Sequence, residues 1–157
     1  MKITTSRFGE LEINEDIIFN FVEPILGYEH LSKFILVDNV IESPFKWLQS
    51  VEDGSIAFPV TVPGYFGFDY QFVIPDDEAK KLDLTGPNEL LSLNIAYIPP
   101  GKPEEASINL LGPVIINLTN RKAMQLVLVN DNLSVRHKLF PDKNKEAVES
   151  EEAVTKS

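Results

Sequence analysis

The sequence predicts a mainly β fold, an antiparallel β-barrel-like single domain with one or two short helices. Three observations lead there. Between residues 2 and 137 the chain passes through many short apolar or alternating runs bounded by Gly, Pro, Asn or Asp, the rhythm of a barrel or sandwich. Only one segment, Pro75–Leu82, carries a clear helical signature. The length, 157 residues, suits one domain with a sizeable core. The expected division is a barrel domain over residues 1–140 and a disordered acidic tail over 141–157, where almost nothing apolar is available to anchor the chain.

The elements follow in order. Lys2–Thr5 and Phe8–Ile13 read as a hairpin, with Gly9 marking a bulge. Ile17–Val22 reads as a strand with Ile17, Phe19 and Phe21 on one face, ended by Pro24, which has no N–H to donate. Gly27–Leu31 reads as a turn or one helical turn, and Phe34–Val37 as a compact apolar strand. Pro44–Ser50 holds the only tryptophan and sits between two groups of strands. Strand alternation puts Phe45, Trp47 and Gln49 on one side of it and Lys46, Leu48 and Ser50 on the other. Trp47 and Leu48 are expected to pack the barrel, whereas Phe45, Gln49 and the Glu52-Asp53 turn are expected to be exposed.

Ile56–Pro63 reads as a strand whose prolines place it at a sheet edge or beside a bulge. Gly64–Asp69 is an aromatic loop, including Tyr65 and Phe66, that either folds back on the core or forms a binding patch. Tyr70–Ile74 continues from it. Pro75–Leu82 has acids in its first turn and lysines in its last, with i,i+4 pairs expected from Asp76 to Lys80 and from Asp77 to Lys81. Further strands are expected at Leu90–Ile98, Ala106–Leu111, Val114–Leu118, Gln125–Val129 and Ser134–His137.

Composition narrows function. The net charge is -10, of which the tail, with five acids and three lysines, holds only -2, so the acidity belongs to the domain. Such a field disfavours direct nucleic-acid binding, which relies on neutralising phosphates; it either simply keeps a cytoplasmic protein soluble or steers basic partners toward it. No apolar run approaches the roughly 18 residues of a membrane span, and no apolar signal region follows the polar start, so a cytoplasmic protein without membrane contact is expected. Cysteine is absent, which removes disulfides and thiolate chemistry.

Catalytic patterns are hard to find. The two histidines, His30 and His137, have no motif around them and read as hydrogen-bonded structural groups. The glycines at 54, 64 and 67 lead into aromatics and strands, not into a phosphate-holding helix. Asp76, Asp77 and Glu78 read as helix-end carboxylates in preference to metal ligands. Asn109, Asn117 and Gln125 lie in apolar strands, where an unpaired amide is costly; they either tie strand ends together or serve recognition. No cofactor and no metal are expected.

Several short motifs nevertheless share an order. Phe8-Gly9 with Glu12, Gly27-Tyr28-Glu29, Pro44–Ser50 followed by Asp53, Asn109-Leu110, Pro113–Asn117, Gln125 and Arg136-His137 together resemble the flagellar assembly factor FliW family up to about Phe140. The chain departs from that pattern at Gly54, Gly112, Ala123 and Leu133, positions that bear on turns and packing. The resemblance implies a non-enzymatic β-barrel-like protein that binds CsrA, a basic RNA-binding regulator dimer, relieves its repression of flagellin translation, and also binds flagellin. On that footing acidic loops are expected to attract CsrA, and an exposed apolar groove to accept amphipathic helical segments of flagellin. Candidate partner-binding residues are Phe45, Gln49, Glu52, Asp53, Tyr65, Phe66, Asp76, Asp77, Asn117, Arg136 and His137. The alternative is an enzymatic or small-ligand barrel with a polar pocket near Arg136 and His137.

Overall fold

Seven strands close into a ring in the computed structural model, which describes residues 1–38, 43–86 and 89–140. In ring order they are β3 (Phe19–Glu23), β4 (Lys33–Val37), β5 (Lys46–Ser50), β6 (Ala57–Thr61), β7 (Leu90–Tyr97), β9 (Val114–Asn117) and β10 (Lys122–Gln125). β10 then returns to β3. Neighbours run antiparallel except at this closing joint, where β10 lies parallel to β3, a departure from the all-antiparallel expectation. β7 is long enough to pair twice along its length, with β9 through Leu90–Leu93 and with the short β8 (Ser107–Ile108) through Ala96 and Tyr97. β11 (His137–Lys138) adds to β8. The 141–157 tail expected from composition lies outside the described residues.

Alternation sorts the side chains between the two faces of the ring. Phe21, Phe34, Leu48, Val60, Leu93, Val114, Ile116 and Ala123 fill the interior, with Phe34 edge-on to Phe21 at 5.0 Å between ring centres. The barrel is therefore a packed core. The outer faces are covered by three different devices.

The first is the N-terminal hairpin of β1 (Lys2–Thr5) and β2 (Gly9–Glu12), in register from Lys2 opposite Glu12 to Thr5 opposite Gly9. Its Ile3 and the following Ile13 and Ile18 bury Ile35 and pack against Val37. Gly9 is no bulge: at φ +70° it supplies the left-handed residue of the turn, and Thr5 Oγ1 closes that turn by donating to its carbonyl at 2.9 Å. The strand expected over Ile17–Val22 starts later. Glu15–Ile17 forms a 3-10 turn that leaves Ile17 exposed and turns Ile18 inward.

The second cover lies outside β9 and β10. Helix α1 (Asp76–Lys81) and the extended 70–74 segment bring Leu82, Phe72 and Ile74 onto Ile115, Met124 and Leu126. Val114–Ile116 of β9 and Ala123-Met124 of β10 are consequently apolar on both faces. The expected i,i+4 pairs of α1 give way to other geometry: Lys81 reaches Glu23 at 3.0 Å and Glu78 at 3.3 Å. The third cover is the aromatic loop. Pro63–Phe66 forms a 3-10 turn, and Phe66, Phe68 and Tyr70 fold onto Ala106, Ile108, Leu110 and Leu139, so this loop is mainly a lid on the core.

Pro59 overturns one expectation. β6 is an interior strand between β5 and β7, not an edge. Ser50 N–H donates to Ile56 O at 3.0 Å, and antiparallel alternation then makes Trp47 opposite Pro59 a non-hydrogen-bonded pair. The missing N–H of Pro59 points toward β7, whose pairing with β6 begins only at Val60. Proline is tolerated there because that side has no ladder bond to lose.

Candidate functional site

β10 does not simply stop at Gln125. Leu126 N–H donates to Pro113 O at 2.9 Å and Leu128 N–H to Leu111 O at 2.8 Å, so the chain stays extended beside the segment before β9. The return bonds are missing for two chemical reasons. Pro113 has no N–H, and the Leu111 N–H is taken by Asn109 Oδ1 at 2.9 Å. The strand expected at Gln125–Val129 is thus an extended but half-bonded continuation, and the regular ladder lies earlier, at Lys122–Gln125.

On the opposite side this continuation loses its neighbour. β3 ends at Glu23, and the chain turns off through Pro24 to Leu26, whose N–H is caught by Gln125 Oε1 at 2.8 Å. Gln125 Nε2 donates to Gly112 O at 3.1 Å, so one buried amide pins both departures. What β3 vacates is a groove of about 800 Å³. Leu126–Val129 form its base, Glu23, Pro24, Leu26 and Glu29 one wall, and Phe72, Val73, Pro75 and Glu78 the other. Leu126 and Leu128 turn inward, whereas Val127, Val129, Val73 and Leu26 are exposed; Val129 is 96% and Val73 82% accessible. Large apolar side chains so fully exposed along one groove mark a contact surface.

The rim is charged. Lys81 bridges Glu23 and Glu78 across the groove, and the Glu23 carboxylate first, then Glu78, raises its pKa. The Glu29 carboxyl is held below its ordinary range because the Gly27 N–H donates to it at 3.0 Å, with its own backbone adding to the effect. Glu29 therefore stays a firm anion at the mouth.

None of the sequence-predicted contact residues lines this groove. Gln49 is the clearest correction: expected at the surface, it is 0% exposed, and its Nε2 donates to the carbonyls of Ser50, Gly54 and Ile56 at 3.0–3.2 Å. Asn117 is buried as well, donating to Leu82 O at 2.8 Å and accepting from Thr119 N–H at 2.9 Å. Both amides tie loops to strands. Glu52 is exposed but engaged, its Oε1 accepting from the Ser32 and Lys33 amides at 2.6 and 3.1 Å. Asp53 Oδ1 accepts from the Ser55 hydroxyl and amide, which depress its pKa.

Phe45 and Phe66 pack on one another at 5.8 Å, half-buried rather than free. Tyr65 is exposed. Asp76 and Asp77 are exposed in the first turn of α1, near the groove but not in it. Arg136 lies over the Tyr97 ring at 4.6 Å, and His137 meets Phe68 edge to face at 4.4 Å. Trp47 is half-buried on the outer face, with the Arg7 guanidinium 3.8 Å over its ring and Phe8 edge-on at 6.3 Å. It does pack, but beneath the hairpin and not inside the barrel.

The groove residues that sequence reasoning missed were visible as the run Leu126-Val127-Leu128-Val129, apolar at every position. Such a run is buried on both faces or exposed on one. The neighbour that decides between these outcomes, β3, ends about a hundred residues away, as the Leu26 to Gln125 separation of 99 shows. Among the described residues no cluster of three or more His, Asp or Glu is arranged to hold a metal ion, and no helix is long and apolar enough to cross a membrane.

Comparison with known proteins sets this geometry in context. A family model described as FliW protein matches residues 2–139. The flagellar assembly factor FliW of Thermotoga neapolitana is 42% identical over 137 residues, covering 87% of this chain and 92% of that protein. The one from Ruminiclostridium cellulolyticum is 37% identical over 149 residues, covering 94% of this chain and all of that protein. A crystal structure of the flagellar assembly factor FliW superposes with a TM-score of 0.84 at 30% identity, covering 91% of this chain and 99% of the other.

Proposed function

The chain belongs to the FliW family of flagellar assembly factors, and on that premise we propose that it acts by binding two proteins, the translational regulator CsrA and flagellin. Held by this chain, CsrA no longer represses flagellin translation; captured by flagellin, the chain releases CsrA. Flagellin level is thereby coupled to its own synthesis, in the cytoplasm, by binding rather than catalysis, without a cofactor and without direct contact with nucleic acid.

The observation that carries this reading is the pairing of an exposed apolar groove with a carboxylate rim on a chain of net charge -10. The groove suits a protein segment, and the acidic field suits a basic RNA-binding partner while repelling the RNA it carries. The remaining exposed acids, Glu52, Asp76 and Asp77 among them, contribute to that field without forming a pocket.

A small-ligand or enzymatic barrel has less support. The interior is filled by Phe34, Leu48, Val60, Val114 and Ile116, and outside the groove Arg136 lies over the Tyr97 ring and His137 meets Phe68 edge to face.

Mixing the chain with CsrA and, separately, with flagellin on a size-exclusion column tests the proposal. Co-elution with both is expected, with the CsrA complex weakening as salt rises from low to physiological ionic strength. Failure to bind either protein would sink the proposal, and salt-insensitive binding of CsrA would remove its electrostatic part.

A further inference from the structure

We propose that the groove takes its partner as an added β-strand, an extended segment with apolar side chains at alternate positions and a basic residue at its end, in place of the helix expected from sequence. The inference rests on the flagellin reading only for the identity of the occupant. The mode of capture follows from the backbone.

In an extended chain the N–H and C=O of one residue point to the same side, and those of the next residue to the other. The Leu126 and Leu128 amides point toward Pro113 and Leu111. Those of Val127 and Val129 must therefore face the side that β3 has left. The same parity holds upstream, where Arg121 O accepts from Asn20 N–H of β3 at 2.8 Å. Odd-numbered residues of this strand thus serve β3 as far as Glu23. Beyond Pro24 no backbone partner of Val127 or Val129 occurs among the described residues.

An exposed edge of this kind is a template for another strand, and proteins normally blunt it. Here it is left apolar, with exposed valines at 127 and 129 and a third, Val73, facing it across the groove. An incoming strand would take the line that β3 abandons and continue the sheet by backbone bonds, with side-chain contacts giving specificity. Glu23 and Glu29 lie at the wall where β3 exits, so a Lys or Arg at the end of the incoming strand meets carboxylates. The tail of the same chain is a poor occupant, since residues 141–157 hold five acids against three lysines.

A synthetic capped peptide, Lys-Val-Thr-Val-Thr-Val-Lys, serves as probe against the full chain, followed by amide exchange in NMR. Binding is expected to slow exchange of the Val127 and Val129 amides, leaving those of Leu126 and Leu128 as they were. Val127→Pro deletes only an outward N–H, so the fold should persist while peptide affinity falls by about tenfold or more. Val127→Thr, which keeps the N–H, should stay within about threefold of wild type. No peptide binding at millimolar concentration, binding without protection of the two amides, or an unchanged affinity in the proline variant overturns strand addition. If both amides are already protected in the free chain, the occupant is the tail when dilution has no effect and a second copy when dilution exposes them; either outcome overturns the external partner. Flagellin enters as competitor: displacement of the peptide joins the two readings, whereas flagellin that fails to bind the wild type removes only the flagellin reading, since the peptide arm judges strand addition alone.

Discussion

The wall around β5 and the continuation of β10 are built from the same kinds of residue to opposite ends. At β5 most polar groups face a partner close by, the buried Gln49 Oε1 being the exception. Glu52 holds the Ser32 and Lys33 amides, Ser50 Oγ accepts from the Glu52 and Asp53 amides, and Gln49 Nε2 spans three carbonyls. The N-terminal hairpin then covers the outside. At Leu126–Val129 one edge is bonded and the other is bare, and the valines stand in solvent. The most recognisable motif of the chain is thus tied into the fold by its own bonds, and the bare edge belongs to a plain apolar run. Distinctive residues mark places where geometry is demanding, and these need not be the places where binding occurs.

Substitutions can break or sharpen this contrast, beginning with the largest effect. Leu48→Ala removes a fully buried side chain from the barrel interior and is expected to lower stability by about 3 to 4 kcal/mol in urea unfolding. Trp47→Ala, on the half-buried outer face, should cost about 2 kcal/mol through lost contact with Arg7 and Phe8. Equal losses would mean that the hairpin side is as much core as the barrel interior.

Gly54→Ala comes next. A Cβ there would run into the backbone carbonyl of Thr4 and lie 3.2 Å from the Thr5 Cα, and Ser6 N–H donates to Gly54 O at 3.0 Å. The hairpin must move away, at an expected cost of about 2 kcal/mol, read as a lower melting temperature and faster exchange of the Ser6 amide. An unchanged melting temperature would show the hairpin to be loosely docked.

A smaller effect belongs to pH. The Ser55 hydroxyl and amide lower the Asp53 pKa, so the folded state holds fewer protons at this site than the unfolded one. The resulting stabilisation is fully present above the ordinary value of about 3.9 and is lost as pH falls through the lowered folded value. Ser55→Ala should flatten that acid-side dependence in urea midpoints taken at successive pH values. The same slope in both proteins would remove Asp53 from the account.

The smallest stability effect is expected in the groove. Val129→Thr changes a side chain that is 96% exposed and should alter stability by less than about 0.5 kcal/mol. A loss as large as that of Gly54→Ala would erase the contrast between the two regions.

Much of the architecture was legible in the chain itself. The hairpin, the strands at Phe34–Val37, Lys46–Ser50 and Leu90–Tyr97, and the short acidic-to-basic helix all carry local periodicity and turn residues, which act within a few positions. What could not be read was non-local. Pro59 looked like an edge residue because the sequence does not reveal that β7 begins pairing only at Val60. Gln49 is a nearer case: its partners, the carbonyls of Gly54 and Ile56, lie five and seven residues on, but strand alternation carries no sign that the turn folds them back onto its side chain. The Gln125–Val129 run looked like an ordinary strand because its bonds fail through Pro113 and Asn109, on another segment. The groove was legible only as an expected type of surface; its place depends on where β3 leaves β10.

The parallel joint between β3 and β10 also governs when the ring can exist. Every other pairing around the ring joins antiparallel neighbours, five of the six consecutive in the chain, whereas this joint waits for residues some 99 positions downstream of Leu26. A nascent chain emerging N-terminus first therefore carries β3 with one edge uncovered through most of its synthesis. Loop closure of that length is slow, and exposed edges invite pairing with the wrong chain. Arrival of Lys122–Gln125 closes the barrel, buries the inner face of β3 and, in the same step, creates the groove beyond its end. The groove is in this sense the last feature the chain acquires.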